Sequence, residues 1–96
     1  MDPDAIRSFT IDVPDEVLAD LADRLARARV PDQIPGTGWT YGTDGTYLTE
    51  LLEYWRSDFD WRAQEQALNE LDHFKTEVDG VDVHFIHQRS PNPDAT

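Results

Sequence analysis

Hydrophobic and polar residues alternate near the N-terminus. The hydrophobic set consists of Ile6, Phe9, Ile11 and Val13, with polar residues between the last three. A period of two is typical of a β-strand, and Pro14, which has no N–H to donate, is expected to end it. The pattern therefore predicts a short N-terminal strand.

From Pro14 onward the period changes to that of an amphipathic helix. Asp12 or Val13 is expected to cap this helix, and Pro31 is expected to end it. Its hydrophobic residues fall on one face: Val17, Leu18, Leu21, Ala22, Leu25 and Ala28. Two ion pairs with i,i+4 spacing are expected on the opposite face, Asp20 with Arg24 and Asp23 with Arg27.

Two more helices are predicted after a loop. The second runs from about Thr46 to Ser57. Its hydrophobic stripe is wide for so short a helix, which indicates more than one packing neighbour: Tyr47, Leu48, Leu51, Leu52, Tyr54 and Trp55. The third runs from about Trp61 to Asp72, with Asp60 as its N-cap.

The loop before the second helix, residues 31–46, is rich in glycine and proline and contains Trp39 and Tyr41. Its glycines match neither the G-x-G-x-x-G nor the P-loop spacing, and no Lys-Ser or Lys-Thr pair follows them. A nucleotide site is therefore not indicated. We interpret the segment as a turn-rich loop held in place by its aromatic residues.

Two further runs of alternating hydrophobicity flank the pair Asp79-Gly80, which favours a tight hairpin turn. The expected cross-strand pairs share one face: Val78 with Val81, Thr76 with Val83, and Phe74 with Phe85. A lone hairpin is marginal in water, and both of its outer edges would carry unpaired N–H and C=O groups. Further strands are therefore expected beyond this chain.

Composition narrows the possible functions. The 96 residues include 20 acidic and 8 basic side chains, a net charge of −12 that repels nucleic acids and anionic membranes. The chain has no cysteine, contains no long apolar run, and begins with Met1–Asp4, which does not resemble a secretory signal. A soluble cytoplasmic protein is expected, without nucleic-acid or membrane partners. With 39% hydrophobic residues it has material for only one small domain with a thin core.

The three histidines were considered as metal ligands or as a general base. His84 and His87 are an odd number of residues apart, so on a strand they would point to opposite faces. His73 is expected to precede the paired region of the hairpin. A metal site is therefore not predicted.

Acidic and serine side chains give no clear catalytic group either. Glu77 is expected to face Asp82 across the hairpin, close enough to raise one carboxyl pKa, but near an exposed turn where solvent screens the pair. Asp58 and Asp60 are better explained by helix capping. No serine lies in a G-x-S-x-G motif.

The chain also contains an ordered series of short motifs. They are Arg29-Val30-Pro31-Asp32, Trp39-Thr40-Tyr41-Gly42-Thr43, Tyr54-Trp55-Arg56, Asp60-Trp61-Arg62-Ala63-Gln64-Glu65, Leu68-Asn69 and Asp79-Gly80-Val81-Asp82-Val83-His84-Phe85-Ile86-His87. This series resembles the N-terminal segment of the microsomal-type epoxide hydrolases of the α/β-hydrolase superfamily. Residues 1–96 contain no run like the membrane anchor of the microsomal members, so the resemblance is expected to be to soluble, bacterial-style relatives. It covers roughly residues 9–90.

The resemblance implies an α+β fragment of an α/β parent protein. Its N-terminal strand and three-helix meander are followed by a β-hairpin that opens an α/β-hydrolase sheet. On this scheme residues 1–72 are the helical meander, residues 73–90 the first hairpin, and residues 91–96 a linker to an absent catalytic core.

In such enzymes an aspartate attacks an oxirane carbon while paired tyrosines donate hydrogen bonds to the leaving oxygen. A histidine assisted by an acid then activates water to hydrolyse the ester, and no cofactor is needed. The resemblance implies that these groups follow Thr96. Tyr41, Tyr47 and Tyr54 are then not the catalytic tyrosines, and no catalytic, cofactor-binding or metal-binding residue is expected here.

We therefore expect a structural segment of an epoxide hydrolase that is inactive alone. Its partner is the remainder of the α/β-hydrolase chain, core and cap, and the large aromatic residues expected to dock there are Trp39, Trp55, Trp61 and Phe85. The alternative, from a different class, is a free-standing acidic module that binds a basic protein.

Overall fold

The computed structural model describes residues 5–96. Residues 1–4, on which the argument against a secretory signal rests, lie outside the described residues. Three helices and three strands are present in residues 5–96: β1 (Arg7–Ser8), α1 (Asp15–Ala26), α2 (Gly45–Ser57), α3 (Trp61–Leu68), β2 (His73–Val78) and β3 (Val81–Ile86). They fall into two units. One comprises residues 13–60, and the other combines the residues up to Asp12 with residues 61–96.

The hairpin between β2 and β3 has the predicted register. Val78 pairs with Val81, Thr76 with Val83, and Phe74 with Phe85. Asp79 has a φ of 50° and Gly80 a φ of 79°. Two consecutive left-handed residues are what a two-residue type I′ turn requires, and such a turn matches the twist of the strands that it joins. The prediction of a tight hairpin is therefore confirmed.

The N-terminal strand is shorter than its hydrophobic pattern predicted. β1 pairs with β2 in an antiparallel sheet of order β1-β2-β3, and the amide of Phe9 continues the pairing by donating to the His73 carbonyl at 3.0 Å. The strand ends there because Ile11 uses its backbone differently: its N–H donates to the Asn69 side chain at 2.9 Å, and its carbonyl accepts from Asn69 at 2.8 Å.

β1 also corrects the expectation that both outer edges of the hairpin are open. Arg7 and Ser8 lie opposite Lys75 and Phe74, so β1 covers the outer edge of β2. Among residues 5–96, no strand pairs with the outer edge of β3. The sheet therefore has one long open edge rather than two.

α1 begins one or two residues later than expected and ends earlier. The N-cap residue is Pro14 and not Asp12 or Val13, and the helix ends at Ala26 instead of continuing to Pro31. Its last turn tightens into an i→i−3 hydrogen bond from the Ala28 amide to the Leu25 carbonyl, as is common at helix C-termini. Both predicted ion pairs form, Asp20 with Arg24 at 2.9 Å and Asp23 with Arg27 at 2.5 Å.

α2 and α3 begin close to the predicted residues. The Asp44 carboxylate caps α2 by accepting a hydrogen bond from the Thr46 amide at 3.1 Å. α3 begins at Trp61 but ends at Leu68, four residues before Asp72. It stops because Asn69 is held by Ile11 and because the next amides make i→i−3 bonds, that of Leu71 to Leu68 at 3.1 Å.

The thin core predicted from composition is confirmed. Within residues 5–96 no hydrophobic side chain is buried, and the two buried side chains are those of Glu65 and His73. No helix formed by these residues is long and apolar enough to cross a bilayer.

Candidate docking surfaces

Trp39 lies on the loop before α2 with much of its indole uncovered. Its ring centroid is 5.2 Å from that of Tyr47, in the first turn of α2. The surrounding backbone is fixed by turns, including a bond from the Gly42 amide to the Trp39 carbonyl at 3.4 Å. The indole nevertheless remains 60% exposed. The loop therefore leaves Trp39 largely uncovered.

A glutamine side chain holds this loop, a contact that the sequence pattern did not reveal. Gln33 Nε2 donates to the Gly38 carbonyl at 2.6 Å, and Gln33 Oε1 accepts from the Gly45 amide at 2.7 Å. A Cβ at Gly45 would lie 2.9 Å from Gln33 Oε1. One side chain thus joins the middle of the loop to the start of α2.

The same loop forms one side of an open groove of about 430 Å³. Its apolar lining includes Val30, Ile34, Tyr41 and Leu48. Tyr41 is 79% exposed and Ile34 is 64% exposed. An open, largely apolar groove suits contact with another protein surface better than enclosure of a small molecule.

Trp55 lies on the apolar stripe of α2. Its side chain is 43% exposed, and Leu51 and Tyr54 on the same helix are also exposed. The Tyr54 ring contacts Phe59, just beyond the helix, with centroids 6.5 Å apart. The wide stripe recognised in the sequence is therefore only partly covered within the described residues.

Trp61, the first residue of α3, is half-buried. Its indole Nε1 donates to Glu65 Oε2 at 3.2 Å, and Arg62 donates to Glu65 Oε1 at 2.8 Å. Glu65 is only 8% exposed, so these two donors compensate for the burial of its charge. The i,i+4 and i,i+3 spacings were visible in the sequence, but the burial of Glu65 was not predicted.

Phe85 lies on the apolar face of the sheet. Its ring stacks on Phe74 of β2, with centroids 5.6 Å apart and planes inclined by 27°. The valines that share this face are all exposed: Val78, Val81 and Val83. Because side chains alternate along a strand, this face is apolar from the turn to Phe85 except at Thr76, which lies opposite Val83.

The four aromatic residues predicted to dock thus lie on separate features. Trp39 contacts Tyr47 and Phe85 contacts Phe74, while Trp55 and Trp61 belong to different helices. One lies on a loop, two lie on helices and one lies on a face of the sheet.

The structure corrects the predicted position of His73. His73 does not precede the paired region, because it is the first residue of β2 and lies opposite Ile86. Its Nδ1 is 2.9 Å from Nε2 of His84, and its Nε2 is 2.6 Å from the Leu68 carbonyl. Extending the correct register by one residue pair would have predicted this diagonal contact on one face. His87 lies elsewhere, with its ring 6.5 Å from Phe74.

The acid pair on the hairpin is also different from the expectation. Glu77 does lie opposite Asp82, but Asp82 Oδ1 accepts a hydrogen bond from Arg7 Nη2 of β1 at 2.5 Å. That hydrogen bond lowers the pKa of Asp82, whereas the acid pair was expected to raise one carboxyl pKa. Arg7 was missed because its strand is distant in sequence.

Residues 5–96 contain no group of three or more histidine and acidic side chains placed to hold a metal ion. The Ser57 hydroxyl donates to the Glu53 carbonyl at 2.7 Å, which is a helix contact and not the activation of a nucleophile.

Comparison with known proteins identifies the family. The family model of the epoxide hydrolase N terminus matches residues 6–96. Epoxide hydrolase 1 of Oryctolagus cuniculus is 38% identical over 91 residues, which are 95% of this chain and 20% of the relative. A putative epoxide hydrolase of Stigmatella aurantiaca is 39% identical over 90 residues, which are 94% of this chain and 20% of the relative. The chain thus spans a fifth of the length of these relatives.

Solved structures agree. The epoxide hydrolase of Aspergillus niger matches with a TM-score of 0.81 and 32% identity, over 95% of this chain and 24% of that one. The juvenile hormone epoxide hydrolase of the silkworm Bombyx mori matches with a TM-score of 0.83 and 26% identity, over 94% of this chain and 24% of that one. The three helices and antiparallel sheet therefore correspond to the N-terminal part of epoxide hydrolases with the α/β-hydrolase fold, and this chain belongs to the epoxide hydrolase N-terminus family.

Proposed function

We propose that this chain is a structural segment that covers apolar surface of the catalytic core and cap of an epoxide hydrolase. The observation that carries the proposal is the lack of any buried hydrophobic side chain within residues 5–96, although 39% of the chain is hydrophobic. Large apolar side chains left in water forgo about 1.5 to 3 kcal/mol each. A covering surface would recover that free energy.

Trp39, Trp55, Trp61 and Phe85 are the proposed anchors of this contact. Large aromatic side chains bury the most area at protein contacts and dominate their free energy. The exposure of Trp39 and Trp55 supports their role, as do the exposed valines on the face beside Phe85. Trp61 is half-buried, so part of its side chain remains available for contact with the core or cap.

We also propose that residues 73–90 open the larger sheet, following the helical meander of residues 1–72, and that residues 91–96 link the hairpin to the core. In an antiparallel pair, alternate residues turn their N–H and C=O groups outward. The register gives this orientation to Asp82, His84 and Ile86 on the outer edge of β3. A strand of the core would pair at this edge.

The whole enzyme is proposed to convert an epoxide and water into a vicinal diol through an aspartyl ester. The carboxylate of the nucleophile opens the oxirane ring, the oxygen takes a proton, and water then hydrolyses the ester. The family resemblance assigns none of these groups to residues 5–96. We therefore expect the isolated chain to be inactive.

A chimera tests this function. This chain would replace the corresponding segment of the Stigmatella aurantiaca relative, and diol formation from styrene oxide would be measured beside a version from which the segment is deleted. The chimera should form diol, and neither the deletion version nor the isolated chain should do so. Diol formation by the isolated chain, or by the deletion version at the level of the chimera, contradicts the proposal.

A matched pair of variants links the result to docking. Trp55→Ala should lower the thermal stability of the chimera, whereas Glu50→Ala, on the same helix, should leave it unchanged. Equal effects of the two substitutions would argue against Trp55 as an anchor.

The alternative, an acidic module that binds a basic protein, is favoured by the net charge of −12. Several of the acids are engaged within the chain, as in the Asp20–Arg24 and Asp23–Arg27 pairs. The affinity of a contact made by charges would fall steeply as salt shortens the screening length. The affinity of an apolar contact would not fall in this way.

A further inference from the structure

We propose that His73 and His84 form a pH-sensitive latch that ties the end of α3 to the sheet and opens when both imidazoles are protonated. The residues involved are His73 of β2, His84 of β3 and the carbonyl of Leu68, the last residue of α3. The inference concerns residues 61–86 and does not depend on the proposed docking function.

The contact between the imidazoles is a hydrogen bond in the plane of the rings. The two nitrogens are 2.9 Å apart, the ring centroids are 5.1 Å apart, and the planes are inclined by 29°. The centroid separation exceeds the nitrogen separation by about the sum of two ring radii, so both nitrogens lie almost on the line that joins the centroids. A zinc ion on this line would need about 2 Å to each nitrogen. The space fits a proton and not a metal ion.

The Leu68 carbonyl fixes which nitrogens carry hydrogen. A carbonyl oxygen only accepts, so His73 Nε2, 2.6 Å away, must be the donor. In a neutral imidazole the other nitrogen is then an acceptor. His73 Nδ1 therefore accepts, and His84 Nε2 donates to it.

This arrangement holds one added proton but not two. A proton on His84 Nδ1 leaves the donor at Nε2 in place, and the hydrogen bond becomes charge-assisted. A second proton has only His73 Nδ1 to occupy. It would place two N–H groups face to face and two positive charges on adjacent rings, so the contact must open.

The burial of His73 makes the loss of its hydrogen bond to His84 costly. His73 is only 5% exposed, so water cannot easily replace the partner of its Nδ1. Opening the pair also exposes the His73 ring, which donates to the Leu68 carbonyl. The link between α3 and the sheet would therefore loosen.

The charged side chains around the pair lie on the strands, on α3 and in the segment between α3 and β2, which contains Glu70 and Asp72. The Lys75 ammonium lies 4.1 Å from the centroid of the Phe9 ring, and that ring contacts His84 edge-on. The other charged side chains on the neighbouring elements are paired, or lie nearer the turn: Arg7 with Asp82, Arg62 with Glu65, and Glu77 opposite Asp82. In the described part of the chain, the hydrogen-bond partners of the two imidazoles are each other and Leu68.

Mild acid destabilises the latched state. The latched state binds at most one added proton, whereas the unfolded chain binds two. Unfolding in mild acid therefore takes up about one proton, and the unfolding equilibrium constant rises up to about tenfold for each unit of pH decrease. The window is about pH 5 to 7, where free imidazoles titrate and carboxylates remain ionised.

The test is urea unfolding of the 96-residue chain across this window, at low temperature with trimethylamine N-oxide to favour the compact state. Unfolding of the wild-type chain should take up about one proton. His84→Gln should abolish it, because a glutamine amide can either donate to His73 or accept from it. His87→Gln, a histidine outside the pair, should retain it.

Nitrogen-15 spectra of the histidines give an independent readout. His73 should carry its hydrogen on Nε2, with Nδ1 unprotonated, near neutral pH. Three independently titrating histidines, from an open pair or from an unfolded chain, would overturn the inference. So would a pH dependence in His84→Gln equal to that of wild type.

Discussion

Arg7 and Asp82 join the two outer strands of the sheet across the central one. The guanidinium of Arg7 on β1 and the carboxylate of Asp82 on β3 are 2.5 Å apart, while β2 lies between their backbones. Both side chains are about half exposed. The pair therefore fixes the position of β1 more by geometry than by a large free energy, since exposed ion pairs contribute little.

This pair predicts a specific pH dependence. The hydrogen bond from Arg7 lowers the pKa of Asp82 in the folded chain. Its stabilisation is complete above the ordinary aspartate pKa, about 3.9, and is lost as the pH falls through the lower folded value. Carboxyl resonances should show Asp82 titrating below the ordinary aspartate pKa, and Arg7→Gln should bring it back toward that value. Titration of Asp82 at the ordinary value in the unsubstituted chain would contradict the pairing.

Asn69 predicts a larger loss of stability. Its side chain both donates to the Ile11 carbonyl and accepts from the Ile11 amide. Asn69→Asp removes the donor and sets a charge against a carbonyl oxygen, which should cost about 1 to 3 kcal/mol in urea unfolding. Asn92→Asp is the matched control. Asn92 Oδ1 only accepts, from the Asp94 amide, and an aspartate preserves that contact.

Gly45 and Gln33 should be energetically coupled. Gly45→Ala pushes a Cβ against Gln33 Oε1 and should break the hydrogen bonds that hold the loop. In a Gln33→Ala background those bonds are already absent, so the same change should cost about 1 kcal/mol less. A double-mutant cycle measures the coupling. Strict additivity would show that Gln33 does not hold the loop.

Trp39 and Trp61 should respond differently to the presence of the rest of the enzyme. Trp39→Ala should hardly change the stability of the isolated chain, because the side chain is 60% exposed, but should destabilise the chimera by about 2 kcal/mol or more. Trp61→Ala should destabilise both, because Glu65 loses a donor in either case. Thermal unfolding of both forms measures this, and an equal effect of Trp39→Ala in both contexts would exclude docking through that ring.

Local signals predicted the hairpin and the starts of the helices. Asp79 and Gly80 set the register because a two-residue turn admits few pairings, and the alternating valines and phenylalanines then fix the faces. Pro14 lies where the change of period placed the start of α1, although it makes no side-chain cap, and α2 begins one residue before the predicted Thr46, behind the capping side chain of Asp44. Such local interactions can be predicted from neighbouring residues alone.

The misjudged features depend on contacts between distant residues. β1 ends early because Ile11 bonds to Asn69, 58 positions away, and α3 ends early for the same reason. The partner of Asp82 is Arg7, 75 positions away. The predicted register was correct, and continuing it by one residue pair places His73 opposite Ile86, inside the strand. In the prediction from sequence, His73 instead precedes the paired region, and its contact with His84 was therefore missed.

The state of the purified chain in dilute buffer tests the central claim most directly, since that claim is that its apolar surfaces await a covering partner. Dye binding and sedimentation velocity would be measured over a range of chain and salt concentrations. The account predicts that an apolar dye binds equally well at low and high salt, and that the chain associates as its concentration rises. A chain that stays monomeric and binds no dye at any ionic strength would contradict it.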